Sequence, residues 1–190
     1  MKKLIILLLL LLIPSLAFAD GMVIGSGAAI ECTAPASSPD VASESSTNSY
    51  SYLWDPGGQS FQFATAGKLY SISLRNAVIN VTGTLQIRFG TSANLTDGNY
   101  VDSCTFIPSL TYEEWSTSGA CVFPTHPNVT TGTTYYFAWD HGASAFNGSM
   151  FWTSSGNPYA GGSKYGNDTW DMTGSEDPVG DLTFRVYLCQ

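Results

Sequence analysis

Short segments in which apolar and polar residues alternate recur along most of this chain. One of them places Phe61 and Phe63 on one face and Gln62 on the other, and another alternates Leu85 and Ile87 with polar neighbours. A period of two residues is typical of strands with one buried and one solvated face. The pattern predicts strands at residues 59–64, 69–74, 84–89, 104–107, 120–123, 133–139, 149–153 and 182–188.

Glycine-rich turn signals separate these segments, as at residues 56–58, 97–99, 161–162 and 179–180. Long amphipathic helical patterns are absent from the sequence, and the one helical signal is a single turn at residues 110–115. Evenly spaced short strands of this kind favour an all-β fold, an antiparallel β-sandwich with jelly-roll connections. No internal repeat is present.

The N-terminus has the three regions of a secretory signal peptide. Lys2 and Lys3 precede an apolar run at residues 4–12, and small residues lead to a cleavage site predicted after Ala19. The run is shorter than the roughly 20 residues that a membrane-spanning helix needs. We therefore predict a secreted protein, extracellular or periplasmic, without insertion into a membrane.

The predicted mature chain begins at Asp20 and is long enough for one domain with its own core. Residues 33–48 are rich in Ala, Ser, Pro and Thr and lack a hydrophobic period, which predicts a flexible segment or a long loop. The expected organisation is a signal peptide at 1–19, an N-terminal arm and flexible segment at 20–48, and the β-sandwich at 49–190.

Four cysteines allow three pairings, and export favours disulfides over metal ligation. We expect Cys104 to pair with Cys121 and close a short loop. We expect Cys32 to pair with Cys189 and tie the start of the domain to its last strand.

The charge balance excludes two classes of partner. The full chain carries a formal charge of −8, and removal of the signal peptide leaves five basic residues against fifteen acidic ones, a net charge of −10. Nucleic acid and anionic membrane surfaces would repel such a protein, so neither is expected as a partner.

The order of segments resembles a jelly-roll module of secreted bacterial surface proteins, of the kind found in carbohydrate-binding-like and choice-of-anchor domains. The resemblance covers residues 59–187. It rests on a Gln-Ser-Phe-Gln-Phe opening, a Tyr-Ser-Ile-Ser-Leu-Arg strand, a Gly-Thr-Thr-Tyr-Tyr strand, an Asn-Pro-Tyr-Ala-Gly-Gly block and the closing Asp-Leu-Thr-Phe-Arg-Val-Tyr. It implies a sandwich fold and indicates little about function, because the shared positions are those that any such sandwich needs.

Aromatic and amide side chains in the C-terminal third are the candidate ligand-binding groups. Sugars are bound by an aromatic ring against their apolar face together with Asn, Asp or Gln on their hydroxyls. We expect Trp139 and Trp152, which lie within predicted strands, to belong to the core. The candidates for carbohydrate binding lie in or beside predicted loops: Tyr159, Tyr165, Trp170, Asn157, Asn167, Asp168 and Asp171.

Calcium is the one cofactor for which the sequence offers ligands. Oxygen donors occur at short spacing in two sets, which are Asn167, Asp168 and Asp171, and Asp97, Asn99 and Asp102. Neither set matches a complete loop motif, and such residues also form turns. No cofactor is expected apart from calcium at one of these sets, and no transition metal is expected.

No catalytic constellation is recognisable. His126 precedes a proline, His141 follows a strand, no Gly-x-Ser-x-Gly elbow occurs, and Glu113 and Glu114 are adjacent rather than opposed. The protein is therefore expected not to be an enzyme.

Two functions follow. One is a non-catalytic protein that binds a glycan through a loop-borne aromatic patch. The alternative is a structural or adhesive surface subunit that pairs through sheet edges with itself or another surface protein, with residues 20–30 as an added strand.

Overall fold

The computed structural model describes residues 32–43, 48–49, 57–75, 84–107, 121–140, 153–155, 159–166, 170–174, 176–177 and 180–190. The predicted signal peptide, the arm at 20–30 and the helical turn at 110–115 lie outside the described residues. Within them, no helix has the length and apolar character that crossing a membrane requires.

The described residues form β-strands, turns and loops. In chain order the strands are β1 (Val41–Ser43), β2 (Asn48–Ser49), β3 (Gly57–Gln62), β4 (Gly67–Leu74), β5 (Leu85–Gly90), β6 (Asp102–Phe106), β7 (Cys121–Val122), β8 (Asn128–Val129), β9 (Thr134–Asp140), β10 (Thr153–Ser155), β11 (Lys164–Gly166), β12 (Glu176–Asp177), β13 (Gly180–Leu182) and β14 (Phe184–Leu188).

Two main antiparallel sheets account for most of these strands. The five-stranded sheet has the order β1-β14-β4-β7, with β8 pairing with another part of β4. The six-stranded sheet has the order β12-β11-β3-β9-β5-β6. A small third sheet, β13-β10-β2, accompanies them.

The core between the two main sheets is built from the alternate residues of each strand. In β5 and β14 these include Leu85, Ile87, Phe184 and Val186, all fully buried. The ring of Phe61 in β3 lies 5.8 Å from the ring of Phe184 in β14, so aromatic contacts join the two sheets. Burial of an aromatic side chain of this size contributes about 1.5–3 kcal/mol, which makes this layer the main source of stability. The fold is an all-β sandwich, as the sequence predicts.

Both predicted disulfides are present. Cys104 of β6 and Cys121 of β7 join the edges of the two main sheets, with their Cα atoms 5.4 Å apart. Cys32 and Cys189, with Cα atoms 5.0 Å apart, tie the start of the described chain to the end of β14. Disulfides persist in oxidising compartments, so the pair indicates an extracellular environment.

Residues 41–43 form a strand, although they lie in the segment predicted to be flexible or a long loop. Strand β1 lies there and pairs with β14, and Val41 and Ser43 are buried. Pro35 also forms a bridge with Cys189. Strand β1 forms because it pairs through backbone hydrogen bonds with the edge of β14 and because Val41 packs in the core. The composition of residues 33–48 does not indicate either interaction.

The predicted strand at 182–188 is two strands in different sheets. Leu182 ends β13 and pairs with Thr153, whereas Phe184 begins β14 and pairs with Leu74 and Ser43. Pattern alone merges them because the alternation of buried residues continues past the break. Jelly-roll connectivity stays a prediction, since several connecting segments lie outside the described residues.

Candidate functional site

A second apolar cluster covers the outer face of the six-stranded sheet. Residues 136 and 138 of β9 face away from the sandwich core, because their neighbours at 135, 137 and 139 face into it. We call this group the outer aromatic cluster; its buried members are Leu95, Ala138, Tyr165 and Met172, and its partly buried members are Ala93, Tyr100, Tyr136 and Trp170.

Two loops bring most of these residues together. One loop, residues 91–101, follows β5, and the other, residues 170–174, lies between β11 and β12. The backbone N–H of Leu95 donates to the carbonyl of Trp170 at 2.8 Å, and the N–H of Met172 donates to the carbonyl of Ala93 at 3.0 Å. This short antiparallel bridge holds the two loops side by side over the sheet.

Asn94 and Asp171 shape the two loops from within. The Oδ1 atom of Asn94 accepts hydrogen bonds from the N–H and hydroxyl of Thr96, at 3.1 and 2.6 Å. The Oδ1 atom of Asp171 accepts the same pair of bonds from Thr173, at 3.1 and 2.6 Å. These bonds hold the pKa of Asp171 below its usual value, because they stabilise the carboxylate. Asp171, a predicted sugar contact, thus acts as a turn former in the described structure.

Arg88 lies at the centre of the cluster. Its guanidinium carbon lies 4.1 Å from the ring centroid of Trp170 and 4.8 Å from that of Tyr100. Its Nη1 donates to the carbonyl of Leu95 at 3.0 Å, and its Nη2 lies 2.7 Å from the carboxylate of Asp97. Arg88 is only 9% exposed, whereas the side chain of Asp97 is 90% exposed. The guanidinium of Arg88 therefore contacts two aromatic rings, one backbone carbonyl and one carboxylate of the two loops.

Tyr165 lies beneath this surface. It belongs to the short strand β11 instead of the predicted loop, is 8% exposed, and pairs with Gly58 of β3. Its ring meets that of Tyr136 edge to face at a centroid distance of 5.9 Å. Burial raises the pKa of Tyr165. The residue supports the cluster and presents little surface of its own.

Gly58 is required for this arrangement. A Cβ atom at position 58 would collide with the sulfur of Met172 and lie 2.5 Å from the carbonyl oxygen of Phe137. Met172 therefore packs directly on the backbone of β3, and this contact brings the 170–174 loop close to the sheet.

Tyr159 does not join the outer aromatic cluster. Its ring packs edge to face on Phe184 at 5.8 Å, and its hydroxyl donates to the carbonyl of Gln62 at 2.9 Å. The N–H of Gln62 donates back to the same hydroxyl at 2.9 Å. Burial raises the pKa of Tyr159. The residue completes the margin of the sandwich core.

The structure thus brings together three of the predicted site residues, Tyr165, Trp170 and Asp171, and separates Tyr159 from them. The predicted contacts Asn157, Asn167 and Asp168 lie outside the described residues. Sequence analysis missed Arg88 and Tyr100. The alternating pattern of residues 84–89 marks Arg88 only as a polar residue on the solvated face of a strand. That pattern does not indicate that two loops cover the Arg88 side chain.

The side chains proposed as calcium ligands at 97, 99 and 102 bond to separate partners, Asn99 through its amide nitrogen. Asp97 pairs with Arg88, and Asn99 donates to the side chain of Asn94 at 3.2 Å. Asp102 is buried and accepts the N–H and hydroxyl of Thr125 at 3.1 and 2.7 Å.

Among the residues named for catalysis, His126 is described and His141, Glu113 and Glu114 are not. The ring of His126 stacks on Tyr70, with centroids 5.5 Å apart and planes 6° from parallel.

Trp139, predicted as a core residue, is fully buried, and Trp152 lies outside the described residues.

No protein-family model matches this chain, and no curated protein matches it either.

Proposed function

We propose that this protein is a secreted, non-catalytic β-sandwich that binds carbohydrate through the outer aromatic cluster. The observation that carries the proposal is the partly exposed ring of Trp170, stacked on the buried cation of Arg88 and flanked by Tyr100. Partly exposed aromatic rings that are held rigidly are the groups that stack on the apolar faces of sugars.

Rigidity supports the proposal further. Trp170 is fixed at its backbone by the bond from Leu95 and at its ring by Arg88. A ring held in one orientation loses little conformational entropy when a ligand binds, so more of the stacking energy appears as affinity. The partly exposed Tyr136 and Tyr100 belong to the same cluster and carry hydroxyl groups that can bond to sugar hydroxyls.

A glycan array on the mature protein tests the proposal, followed by measurement of the dissociation constant for the best ligand. The Trp170→Ala variant should weaken binding about five- to tenfold, because stacking on one ring contributes about 1–1.5 kcal/mol. Tyr187→Ala is the matched control, since it removes a partly exposed aromatic from the five-stranded sheet.

Tyr187→Ala should bind like the wild type. A wild-type protein that binds no glycan on the array would refute carbohydrate binding. An unchanged affinity in Trp170→Ala would show that the outer aromatic cluster is not the binding site.

The alternative, a structural or adhesive subunit, has one observation in its favour. Strand β6 ends the six-stranded sheet and has a partner on one side only among the described strands. The residues that flank it, Val101 and Ile107, are 53% and 67% exposed. An edge with apolar ends is suited to pairing with another chain. Concentration-dependent oligomers in sedimentation velocity, with a negative glycan array, would favour this function.

A further inference from the structure

The disulfide between Cys32 and Cys189 lies against an imidazole. Both sulfur atoms and a ring nitrogen of His126 lie within 4.8 Å of one another, and all three residues are partly exposed. Within the part of the chain that the structure describes, these residues are the one set of three His, Cys, Asp or Glu side chains that come close enough to share a metal ion.

The backbone of His126 adopts a conformation that residues with a Cβ atom rarely take. Its φ is 45°, and the other positive φ values in the described residues belong to glycines. A non-glycine residue persists in this region only when its surroundings hold it there, and such residues cluster at functional sites. His126 is held by its N–H, which donates to the carbonyl of Phe123 at 3.3 Å.

The ring of His126 is also held by its neighbours. It stacks on Tyr70, and its Nδ1 lies 3.2 Å from the carbonyl oxygen of Leu69. A carbonyl only accepts, so Nδ1 carries the proton in this bond and Nε2 keeps its lone pair. A histidine fixed through one nitrogen by a backbone carbonyl is the usual state of a metal ligand.

The backbone near the two cysteines is held by hydrogen bonds that do not depend on the disulfide. The N–H of Cys189 donates to the carbonyl of Lys68 at 2.9 Å, and that of Gln190 donates to Ala34 at 3.1 Å. Cys189 also bridges to Pro35, three residues after Cys32. Cleavage of the sulfur–sulfur bond would therefore leave two thiols and one imidazole close together.

We propose that reduction of this disulfide creates a Cys₂His site for a soft divalent cation of the zinc class. A phosphine or thiol reductant supplies two electrons to the sulfur–sulfur bond, which breaks, and each sulfur takes a proton. A phosphine is oxidised to its oxide with oxygen from water, and thiols are oxidised to a disulfide. Binding of the cation then releases the two thiol protons, because thiolates are the ligands. The fourth position of the tetrahedron is open to water.

The other disulfide is an internal control. Cys104 and Cys121 are 6% and 0% exposed, and within the described residues no set of three metal-binding side chains includes them. Reduction there yields two buried thiols without an imidazole. A cation that requires all three ligands should distinguish the two pairs.

The test is titration of the phosphine-reduced protein with Co²⁺ under anaerobic conditions. One equivalent should produce the near-ultraviolet sulfur-to-cobalt absorption and the visible bands of a tetrahedral site. The oxidised protein and the Cys32→Ser/Cys189→Ser variant should show neither, and Cys104→Ser/Cys121→Ser should keep both. His126→Asn tolerates the positive φ and should weaken Co²⁺ binding by about tenfold or more.

Absence of the absorption in a reduced protein that keeps its far-ultraviolet circular dichroism would overturn the proposal. Equal binding by Cys32→Ser/Cys189→Ser, or unchanged affinity in His126→Asn, would also overturn it. If reduction unfolds the chain, stoichiometric Zn²⁺ should restore the folded spectrum in the wild type and not in Cys32→Ser/Cys189→Ser. Failure of Zn²⁺ to do so would count against the site.

Discussion

At the scale of single residues, the burial of Arg88 determines the shape of the candidate site. A buried cation without partners would cost several kcal/mol, because it loses its hydration. Here the rings of Trp170 and Tyr100 each offer a cation–π contact of about 0.5–2 kcal/mol, and the carbonyl of Leu95 accepts a charge-assisted hydrogen bond. The Asp97 pair adds little, since its carboxylate is almost fully exposed. Arg88 and the rings therefore depend on each other.

Tyr165 should behave as a core residue and not as a binding residue. The Tyr165→Ala change would leave a cavity below Tyr136 and should lower the free energy of unfolding by about 3 kcal/mol. Tyr165→Phe is the control, because it keeps the ring and loses only the hydroxyl. Urea denaturation of the three proteins measures the difference, and a loss below about 1 kcal/mol in Tyr165→Ala would contradict this assignment.

At the scale of elements, a buried polar pair joins the small sheet to the six-stranded sheet. The amide nitrogen of Gln59 in β3 donates to Asp181 in β13 at 2.7 Å, and the amide oxygen of Gln59 accepts the N–H of Leu182 at 2.9 Å. Tyr159 also donates its N–H to Asp181, at 2.9 Å. These bonds satisfy groups that would otherwise be buried without partners, so they determine how β13 meets β3.

The Asp181 carboxyl gives this junction a pH dependence. Burial is the main cause that raises the pKa of Asp181 above its ordinary 3.8. The folded protein therefore binds this proton more tightly than the unfolded chain does. The stabilising contribution is complete below the unfolded pKa and is lost as the pH rises through the folded pKa.

Comparison of the wild type with Asp181→Asn over a pH series isolates this effect. The difference in unfolding free energy, wild type minus variant, should fall as the pH rises above about 4. Asp171→Asn is the control, because hydrogen bonds from Thr173 lower the pKa of Asp171. For this variant the same difference in unfolding free energy should rise with pH. A wild-type advantage over Asp181→Asn that grows with pH would contradict the assignment.

At the scale of the whole molecule, two disulfides constrain the sandwich in different ways. Cys104 and Cys121 are 17 residues apart and join the two main sheets at one edge. Cys32 and Cys189 are 157 residues apart, so their bond closes almost the whole described chain into one loop. In the chain-entropy model, the longer loop restricts the unfolded state more strongly.

Removal of each disulfide should therefore have a different cost. Cys104→Ser/Cys121→Ser should lose about 3 kcal/mol of unfolding free energy, and Cys32→Ser/Cys189→Ser nearer 5 kcal/mol. Equilibrium denaturation of the oxidised proteins provides the measurement. A larger loss for the shorter loop would show that burial of Cys104 and Cys121 outweighs chain entropy.

Local patterns in the sequence were sufficient for the fold class and most of the strands. The alternation in residues 59–64 and 84–89 is a property of neighbouring residues, and it predicted strands β3 and β5 to within two residues at each end. The pairing of Cys32 with Cys189 followed from their positions at the two ends of one domain. Predicting these features does not require knowing which strands are neighbours in a sheet.

The candidate site was decided by the tertiary structure. Its centre joins Arg88 to Trp170, 82 residues later in the chain, through two loops that hydrogen-bond to each other over a sheet in which β11 pairs with β3. His126 likewise meets the disulfide because the chain between β7 and β8 folds against β4. Periodicity records whether a residue faces the core or the solvent, and it carries no information on which distant segment covers the solvent face. That choice depends on the summed packing and hydrogen bonding of the whole sandwich.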